Sequence, residues 1–224
     1  MSAPAPAWRA VLFDLDGTLI DSAPDLGGAG NDLRAERGLP PRDLADFRPM
    51  CGAGARGMLQ VALGIAPDHA DFEALRERYL AIYQARMTRD THVFPEAARL
   101  IDALDARGLP WGIVTNKASR FAVPVVAAMG LAERAATLVC GDTMPRAKPH
   151  PDPLLEAARR LAVAPGGCAY VGDDLRDVQA GRAASMATVA AAWGYLGAGE
   201  AIDAWGADHV IFSPAELLNL PGLA

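Results

Sequence analysis

The sequence lacks an apolar run long enough to span a membrane, and it has few cysteines and little net charge. A helix that crosses a bilayer needs about 20 consecutive apolar residues, so no transmembrane segment is expected. The three cysteines, Cys51, Cys140 and Cys168, are scattered and show neither metal-ligand spacing nor a disulfide framework. We therefore expect a reducing, cytoplasmic setting.

The formal net charge of −6 argues against bulk attraction to nucleic acid or to an anionic membrane, and we expect neither as a partner. A monomer or homodimer that binds a small molecule agrees with this composition. The proline-rich start, residues 1–7, is expected to be a short unstructured lead and not a signal peptide. With 224 residues, 51% of them apolar, the chain can form one substantial core and a small second domain.

Short apolar runs separated by helical patterns predict an α/β fold with a mostly parallel, doubly wound sheet. The expected strands are residues 10–13, 111–114, 137–140, 168–171, 187–190 and 209–212. Helices are expected at residues 95–107 and 151–163, and a capping box of Ser213 and Glu216 predicts a terminal helix.

Residues 21–87 interrupt this alternation, because they contain no convincing strand. Helices are expected there at residues 24–37, 44–47, 55–63 and 71–86. An all-helical block inserted after the first strand is best interpreted as a cap over the site that this strand helps to form. The predicted domains are a core of residues 8–20 and 88–224 and a cap of residues 21–87.

Polar side chains follow four of the predicted strands. They are Asp14 and Asp16, then Thr115 and Asn116, then Lys148, and finally Asp173 and Asp174 with Asp177 one helical turn on. Ligands of an open parallel sheet bind beyond the carboxyl ends of its strands, so these groups are expected to converge. Carboxylates, a hydroxyl and an ammonium suit a phosphate held beside Mg²⁺.

Each group then has a predicted task. Asp14 is the nucleophile, and Asp16 protonates the leaving oxygen and later deprotonates water. Thr115, the Asn116 amide and Lys148 hold the phosphoryl oxygens. The expected metal ligands are Asp14, the Asp16 backbone carbonyl and Asp173. Asp174 and Asp177 are expected to bind the metal directly or through water, or to contact its ligands instead.

These motifs resemble those of the haloacid dehalogenase superfamily of phosphatases. Residues 13–19, 114–116, 148–149 and 171–177 are similar to its four motifs, in order, and the likeness covers nearly the whole chain. The resemblance implies a Rossmann-like core, an aspartyl-phosphate intermediate, Mg²⁺ and a helical cap inserted after the first motif.

Within the superfamily, residues 14–25 and 115–117 resemble the phosphoglycolate phosphatase group. Residues 111–117, 120–122, 172–177 and 192–195 are more similar to the N-acetylmuramic acid 6-phosphate phosphatases of cell-wall recycling. The expected substrate is therefore a small phosphorylated metabolite, either 2-phosphoglycolate or N-acetylmuramic acid 6-phosphate.

In the predicted cap, a glycine-rich turn with Gly52, Gly54 and Arg56 opens a helix. Its backbone N–H groups and Arg56 would bind a substrate carboxylate, or the glycines would merely turn the chain.

Two alternatives stay open: a phosphosugar mutase on the same scaffold, and a phospho-accepting signalling module, a different class of protein. A haloacid dehalogenase activity is less favoured, because Asp16 and the acidic cluster suit a metal-dependent phosphatase.

Overall fold

The computed structural model describes residues 7–223. The unstructured lead expected at the start of the chain therefore lies outside the described residues, except for Ala7. Among the residues that are described, none forms a helix long and apolar enough to cross a membrane.

Six of the strands form one parallel sheet in the order β5-β4-β1-β6-β7-β8. The strands are β1 (Ala10–Phe13), β2 (Ile20–Asp21), β3 (His92–Val93), β4 (Trp111–Val114), β5 (Leu138–Val139), β6 (Cys168–Gly172), β7 (Ala187–Ala191) and β8 (His209–Ile211). The chain runs outward from β1 through β4 to β5 and then returns to the other side of β1 at β6. The strand order therefore reverses at β1, and such a switch point is where ligands of open α/β sheets bind.

Eight α-helices are seen in residues 7–223. They are α1 (Ala23–Ala35), α2 (Leu44–Phe47), α3 (Gly54–Leu63), α4 (Phe72–Arg86), α5 (Pro95–Ala106), α6 (Ser119–Ala128), α7 (Asp152–Arg160) and α8 (Leu175–Ala183). Pro95 suits the first turn of α5, since a first-turn N–H has no partner within the helix. Leu100, Ile101 and Leu104 of that helix are buried on one side of the sheet.

The sheet is covered on both faces. One apolar cluster joins β1 and β4 to α5 and α6, and another joins the opposite face to α7 and α8. This arrangement confirms the predicted doubly wound α/β fold. On the first of these faces, the Trp111 side chain of β4 is buried against Phe13.

Helices α1 to α4 form a separate block with an apolar cluster of its own, which includes Phe47, Met58, Leu59, Tyr79 and Tyr83. Their bounds agree with the predicted helices within one or two residues. The division into a cap domain and a core domain, and a role of that cap in choosing the substrate, stay predictions.

Two connections join this helical block to the sheet, and a buried carboxylate ties them together. Strands β2 and β3 pair antiparallel just before and just after the block. Inside α1, the fully buried Asp25 accepts hydrogen bonds from the backbone N–H groups of Asp90 and Thr91, at 3.0 and 2.8 Å, and from the Thr91 hydroxyl at 2.8 Å.

Three local predictions were wrong. Asp21 belongs to strand β2, although residues 21–87 were expected to lack strands; a two-residue strand has too few residues to show an alternating pattern. The strand expected at residues 137–140 is only Leu138–Val139. The terminal helix is a 3₁₀ segment, and Ser213 forms no side-chain cap because its hydroxyl bonds to the Glu216 carboxylate instead.

Candidate active site

The polar strand ends meet at a single cavity of about 140 Å³, which we call the strand-end cavity. Because β1, β4 and β6 are parallel neighbours, the residues that follow them lie at the same edge of the sheet. Every residue predicted for the site except Arg56 lines this cavity: Asp14, Asp16, Gly52, Gly54, Thr115, Asn116, Lys148, Asp173, Asp174 and Asp177. Their individual roles stay predictions.

Asp14 follows β1 directly and faces the buried ammonium of Lys148, whose Nζ lies 2.9 Å from Asp14 Oδ1. The three N–H groups of that ammonium point to the Val114 carbonyl, the Tyr170 hydroxyl and Asp177 Oδ1, at 3.2, 2.8 and 2.7 Å. Asp14 Oδ1 is therefore buried close to the Lys148 ammonium but accepts no hydrogen bond from it. Burial raises the pKa of Asp14 to about 6, against the lowering effect of Lys148.

Asn116 positions the backbone of Lys148. Its side-chain amide donates to the Lys148 carbonyl and accepts from the Lys148 N–H, both at 3.0 Å. The amide side chain thus joins the end of β4 to the loop that carries the lysine. Burial opposes the charge of Lys148, but attraction to Asp14 and Asp177 outweighs it and raises the pKa of Lys148.

Asp16 is held by two side chains for which the sequence analysis proposed no role. Lys117 Nζ lies 3.0 and 3.1 Å from its two carboxylate oxygens, and the Ser22 hydroxyl donates to Oδ1 at 2.5 Å. Burial disfavours the Lys117 charge, yet attraction to Asp16 prevails and raises the pKa of Lys117. The position of Lys117 directly after Thr115 and Asn116, at a strand end, was the available signal.

Three carboxylates come close together at the floor of the cavity. One oxygen each of Asp14, Asp173 and Asp177 lies within 4.8 Å of the others. Asp173 is oriented by the Thr18 hydroxyl and the Tyr195 N–H, at 2.9 and 2.7 Å. Burial and the nearby charge of Asp14 raise the pKa of Asp173 well above its usual range.

Asp174 is engaged mainly with the protein. It caps the N-terminus of α8 by accepting from the Arg176 N–H at 2.9 Å, and it forms an ion pair with the Arg176 side chain at 2.7 Å. Burial raises the pKa of Asp174, but the hydrogen bonds from Arg176 outweigh it and the pKa is lowered. Arg176 also donates to the Gly52 carbonyl at 2.5 Å, and so joins the core to the helical block.

Tyr195 links the acidic cluster to the start of the helical block. Its hydroxyl accepts from the N–H groups of Ser22 and Ala23, at 2.8 and 3.0 Å, and donates to Asp21 at 3.1 Å. Its own N–H binds Asp173. In the sequence this tyrosine is notable only as part of residues 192–195, which resemble a family, because a contact between residues 173 positions apart leaves no local pattern.

The glycine-rich turn lies over the cavity, but Arg56 is elsewhere. Gly54 adopts φ 61° and ψ −152°, a conformation essentially restricted to glycine, and this turn leads into α3. Arg56 lines a second cavity of about 430 Å³ between the helical block and the core.

Asp14 at the end of the central strand, the buried Lys148 and a cluster of carboxylates lie together at the switch point of an open parallel sheet, the usual place for the active site of a doubly wound α/β enzyme. Residues 8–185 match the haloacid dehalogenase-like hydrolases. The chain belongs to this family, and the prediction of a phosphoric monoester hydrolase is confirmed.

Relatives and solved structures agree with this assignment. The N-acetylmuramic acid 6-phosphate phosphatase of Pseudomonas aeruginosa is 41% identical over 212 residues, covering 95% of this chain and 94% of the relative. The phosphoglycolate phosphatase of Xanthomonas campestris pv. campestris is 46% identical over 210 residues, covering 93% and 94%. A crystal structure of a predicted phosphoglycolate phosphatase from Haemophilus somnus superimposes with a TM-score of 0.83 at 25% identity, covering 95% and 97%.

Proposed function

We propose that this enzyme is an Mg²⁺-dependent phosphatase that forms an aspartyl-phosphate intermediate on Asp14. The proposed substrate is a small phosphorylated metabolite, with 2-phosphoglycolate and N-acetylmuramic acid 6-phosphate as the candidates that the relatives' names suggest. The observation that carries the proposal is the convergence of Asp14, Asp16, Lys148 and Asp173 on one cavity at the switch point of the sheet.

The residues present fit a hard divalent cation. Asp14 Oδ1 is buried without a hydrogen bond, and oxygens of Asp173 and Asp177 lie close to it. An all-oxygen donor set favours Mg²⁺ over softer metals. Asp14, the Asp16 backbone carbonyl and Asp173 would hold the ion, with Asp177 behind them. When bound, Mg²⁺ would neutralise charge on the phosphoryl oxygens and on the carboxylates.

In the first half of the proposed reaction, a carboxylate oxygen of Asp14 attacks phosphorus while the bond from phosphorus to the substrate oxygen breaks. Asp16 gives its proton to that leaving oxygen, so the alcohol departs neutral. Lys117 and the Ser22 hydroxyl hold the Asp16 side chain in place beside the cavity.

In the second half, Asp16 takes a proton from water as the water oxygen attacks the phosphorus of the aspartyl-phosphate. The acyl-phosphate bond breaks, inorganic phosphate leaves and the Asp14 carboxylate is restored. Lys148, fixed by Asn116 and Asp177, stabilises negative charge beside Asp14, and Thr115 lines the same cavity. Phosphoryl transfer is catalysed mainly by such positioning and charge stabilisation.

The nucleophile is tested by Asp14→Asn, which retains the size of the side chain. We expect loss of phosphate release with a folded chain by circular dichroism, because a neutral amide is not a competent nucleophile. Asp102→Asn, at an exposed position on α5, is the matched control and should retain activity. Wild-type enzyme quenched in acid should carry one phosphoryl group by mass spectrometry, and chelation by EDTA should abolish turnover.

Near-normal Mg²⁺-dependent turnover by Asp14→Asn would falsify the nucleophile assignment. Isomerised phosphosugar without free phosphate would favour the mutase alternative instead. The match to a hydrolase family gives no support to a signalling module.

A further inference from the structure

The second cavity lies between the helical block and the core, next to the strand-end cavity. The two share the lining residues Leu26, Gly54, Asn116 and Lys117. The second cavity therefore borders the place where the phosphorus of a bound ester would lie beside Asp14. Because the two cavities are neighbours, the second is a candidate place for the part of the substrate that leaves with the alcohol oxygen.

The walls of the second cavity are largely aromatic and apolar. Phe72, Tyr79, Tyr83 and Phe121 line it, and all four are buried. Tyr83 also has a buried hydroxyl that has no hydrogen-bond partner among residues 7–223. A buried phenol without a partner is costly, and a polar group of a ligand in this cavity can supply one.

The charged residues that line this cavity, among those described, are cations. Arg76 is already paired with Glu73 and Glu77. Arg56 and Arg120, in contrast, form no ion pair in the described part of the chain, and Arg120 lies 4.6 Å above the Phe121 ring. Both arginines are exposed and have no carboxylate partner, so they are free to bind an anionic ligand, since guanidinium binds carboxylate through paired hydrogen bonds.

The positions of these arginines support the same conclusion. Arg56 lies in the first turn of α3 and Arg120 in the first turn of α6. A cation at a helix N-terminus opposes the helix dipole, so neither arginine is there to stabilise its own helix. Ala53 at the N-cap of α3 has no side chain that can accept the first N–H groups, whereas Asp142 accepts the Ser119 N–H of α6. The α3 end is thus the stronger anion site.

The size of the cavity favours a leaving group larger than glycolate. About 430 Å³ falls within the roughly 300–1,000 Å³ of pockets that bind sugar- or drug-sized molecules. The two carbons of glycolate would leave most of it to water and would not reach both arginines and the aromatic wall.

Building on the proposed phosphatase function, we infer that the second cavity recognises a sugar-sized leaving group that carries a carboxylate and an apolar substituent. Arg56 and Arg120 bind the carboxylate, and Tyr83 and Phe121 contact the apolar part. The preferred substrates are therefore phosphate esters of bulky sugar acids rather than 2-phosphoglycolate.

The test compares three esters: N-acetylmuramic acid 6-phosphate, N-acetylglucosamine 6-phosphate, which lacks the carboxylate, and 2-phosphoglycolate. We expect the highest kcat/KM for the sugar acid. Arg56→Gln and Arg120→Gln should each reduce the ratio of kcat/KM between the sugar acid and the neutral sugar by about 10- to 100-fold, mainly through KM, since a hydrogen bond to a charged group is lost. Arg99→Gln, on α5 and outside both cavities, is the matched control.

A second measurement does not depend on catalysis. Binding of N-acetylmuramic acid, which has no phosphate, to the wild-type enzyme is followed by saturation-transfer NMR and should weaken in both arginine variants but not in Arg99→Gln. If this binding is seen without phosphate release from any ester, the proposed function fails, while the recognition of a sugar acid by the second cavity stands. A higher kcat/KM for 2-phosphoglycolate than for the sugar acid overturns the inference. So does an unchanged result in both arginine variants, that is, the same kcat/KM ratio between sugar acid and neutral sugar and the same binding signal. The phosphatase chemistry is tested separately by Asp14→Asn.

Discussion

The two cavities use charge in opposite ways. In the strand-end cavity each lysine has a carboxylate partner, since Lys148 lies between Asp14 and Asp177 and Lys117 binds Asp16. In the second cavity Arg56 and Arg120 have no such partner among residues 7–223. Charges that are paired within the protein are held in position, whereas unpaired charges are available to a ligand.

This difference separates the expected consequences of mutation. A substitution in the strand-end cavity leaves a buried charge without its partner, so it should affect both stability and chemistry. Arg56 and Arg120 in the second cavity are exposed, so their substitution should affect substrate affinity and little else. If mutations in both cavities change stability, turnover and substrate affinity in the same way, this distinction between paired and unpaired charges is wrong.

The largest effect is expected for Lys148→Met. Asp14 and Asp177 would both lose the buried cation that lies within 2.9 Å of them. We expect phosphate release below detection and a fall in the free energy of unfolding of about 3–5 kcal/mol, the usual result of breaking a buried ion pair. Urea unfolding and a phosphate assay measure the two quantities.

Arg146→Gln is the control for this prediction, because Arg146 is two residues away and its ion pair with Asp152 is exposed on the arginine side. It should change neither quantity appreciably. A Lys148→Met enzyme as stable as the wild type would show that the buried pair is not needed for folding, and the distinction between the cavities would then rest on kinetics alone.

An intermediate effect is expected for Asp25→Ala, which removes a buried carboxylate that lines neither cavity. The N–H groups of Asp90 and Thr91 would lose their acceptor where the chain returns from the helical block to the core. We expect the free energy of unfolding to fall by about 2–3 kcal/mol, the cost of leaving buried donors unsatisfied. Asp25→Asn keeps one acceptor oxygen and should lose less.

Asp25→Ala separates stability from catalysis, because its expected loss is in stability and not in chemistry. Under conditions in which Asp25→Ala is folded, its kcat for the preferred ester should stay within a few-fold of the wild type. A kcat that falls as far as that of Lys148→Met would mean that the linkage between block and core takes part in the chemical step.

The features that could be predicted from the sequence are those that leave a local pattern in it. The strands that carry Asp14, Thr115 and Asp173 were predictable because buried strands leave short apolar runs, and the polar residues come directly after them. The convergence of these residues on one cavity follows from the parallel order of the sheet.

Other features depend on contacts between distant residues. Lys117 and Asp16 are 101 residues apart, and Tyr195 and Ser22 are 173 apart, so neither pair leaves a local signal. The location of Arg56 in the second cavity, away from the strand-end cavity, depends on how α3 packs against α4 and the core. Periodicity within α3 predicts a helix and its buried side, but not the cavity that its first turn faces.

The smallest effect is expected for Arg176→Gln, at the boundary between the two regions. Arg176 pairs with Asp174 and donates to the Gly52 carbonyl, so its loss removes one link between core and helical block. Both side chains are partly exposed, and we expect a fall of about 0.5 kcal/mol in the free energy of unfolding at pH 7. Urea unfolding of variant and wild type at several pH values measures this difference, with Arg99→Gln as the exposed control.

The pH dependence of this small difference has a definite sign. In the folded wild type the hydrogen bonds from Arg176 outweigh burial and lower the pKa of Asp174 below its unfolded value. The stabilisation by the ion pair between Asp174 and Arg176 is therefore complete above the ordinary aspartate pKa of about 3.9. It is lost as the pH falls through the lower pKa that Asp174 has in the folded protein. The two proteins should thus converge in stability on acidification. A difference that stays constant with pH would assign the effect to the Gly52 contact, and so to the joining of block and core, instead of to the Asp174 charge.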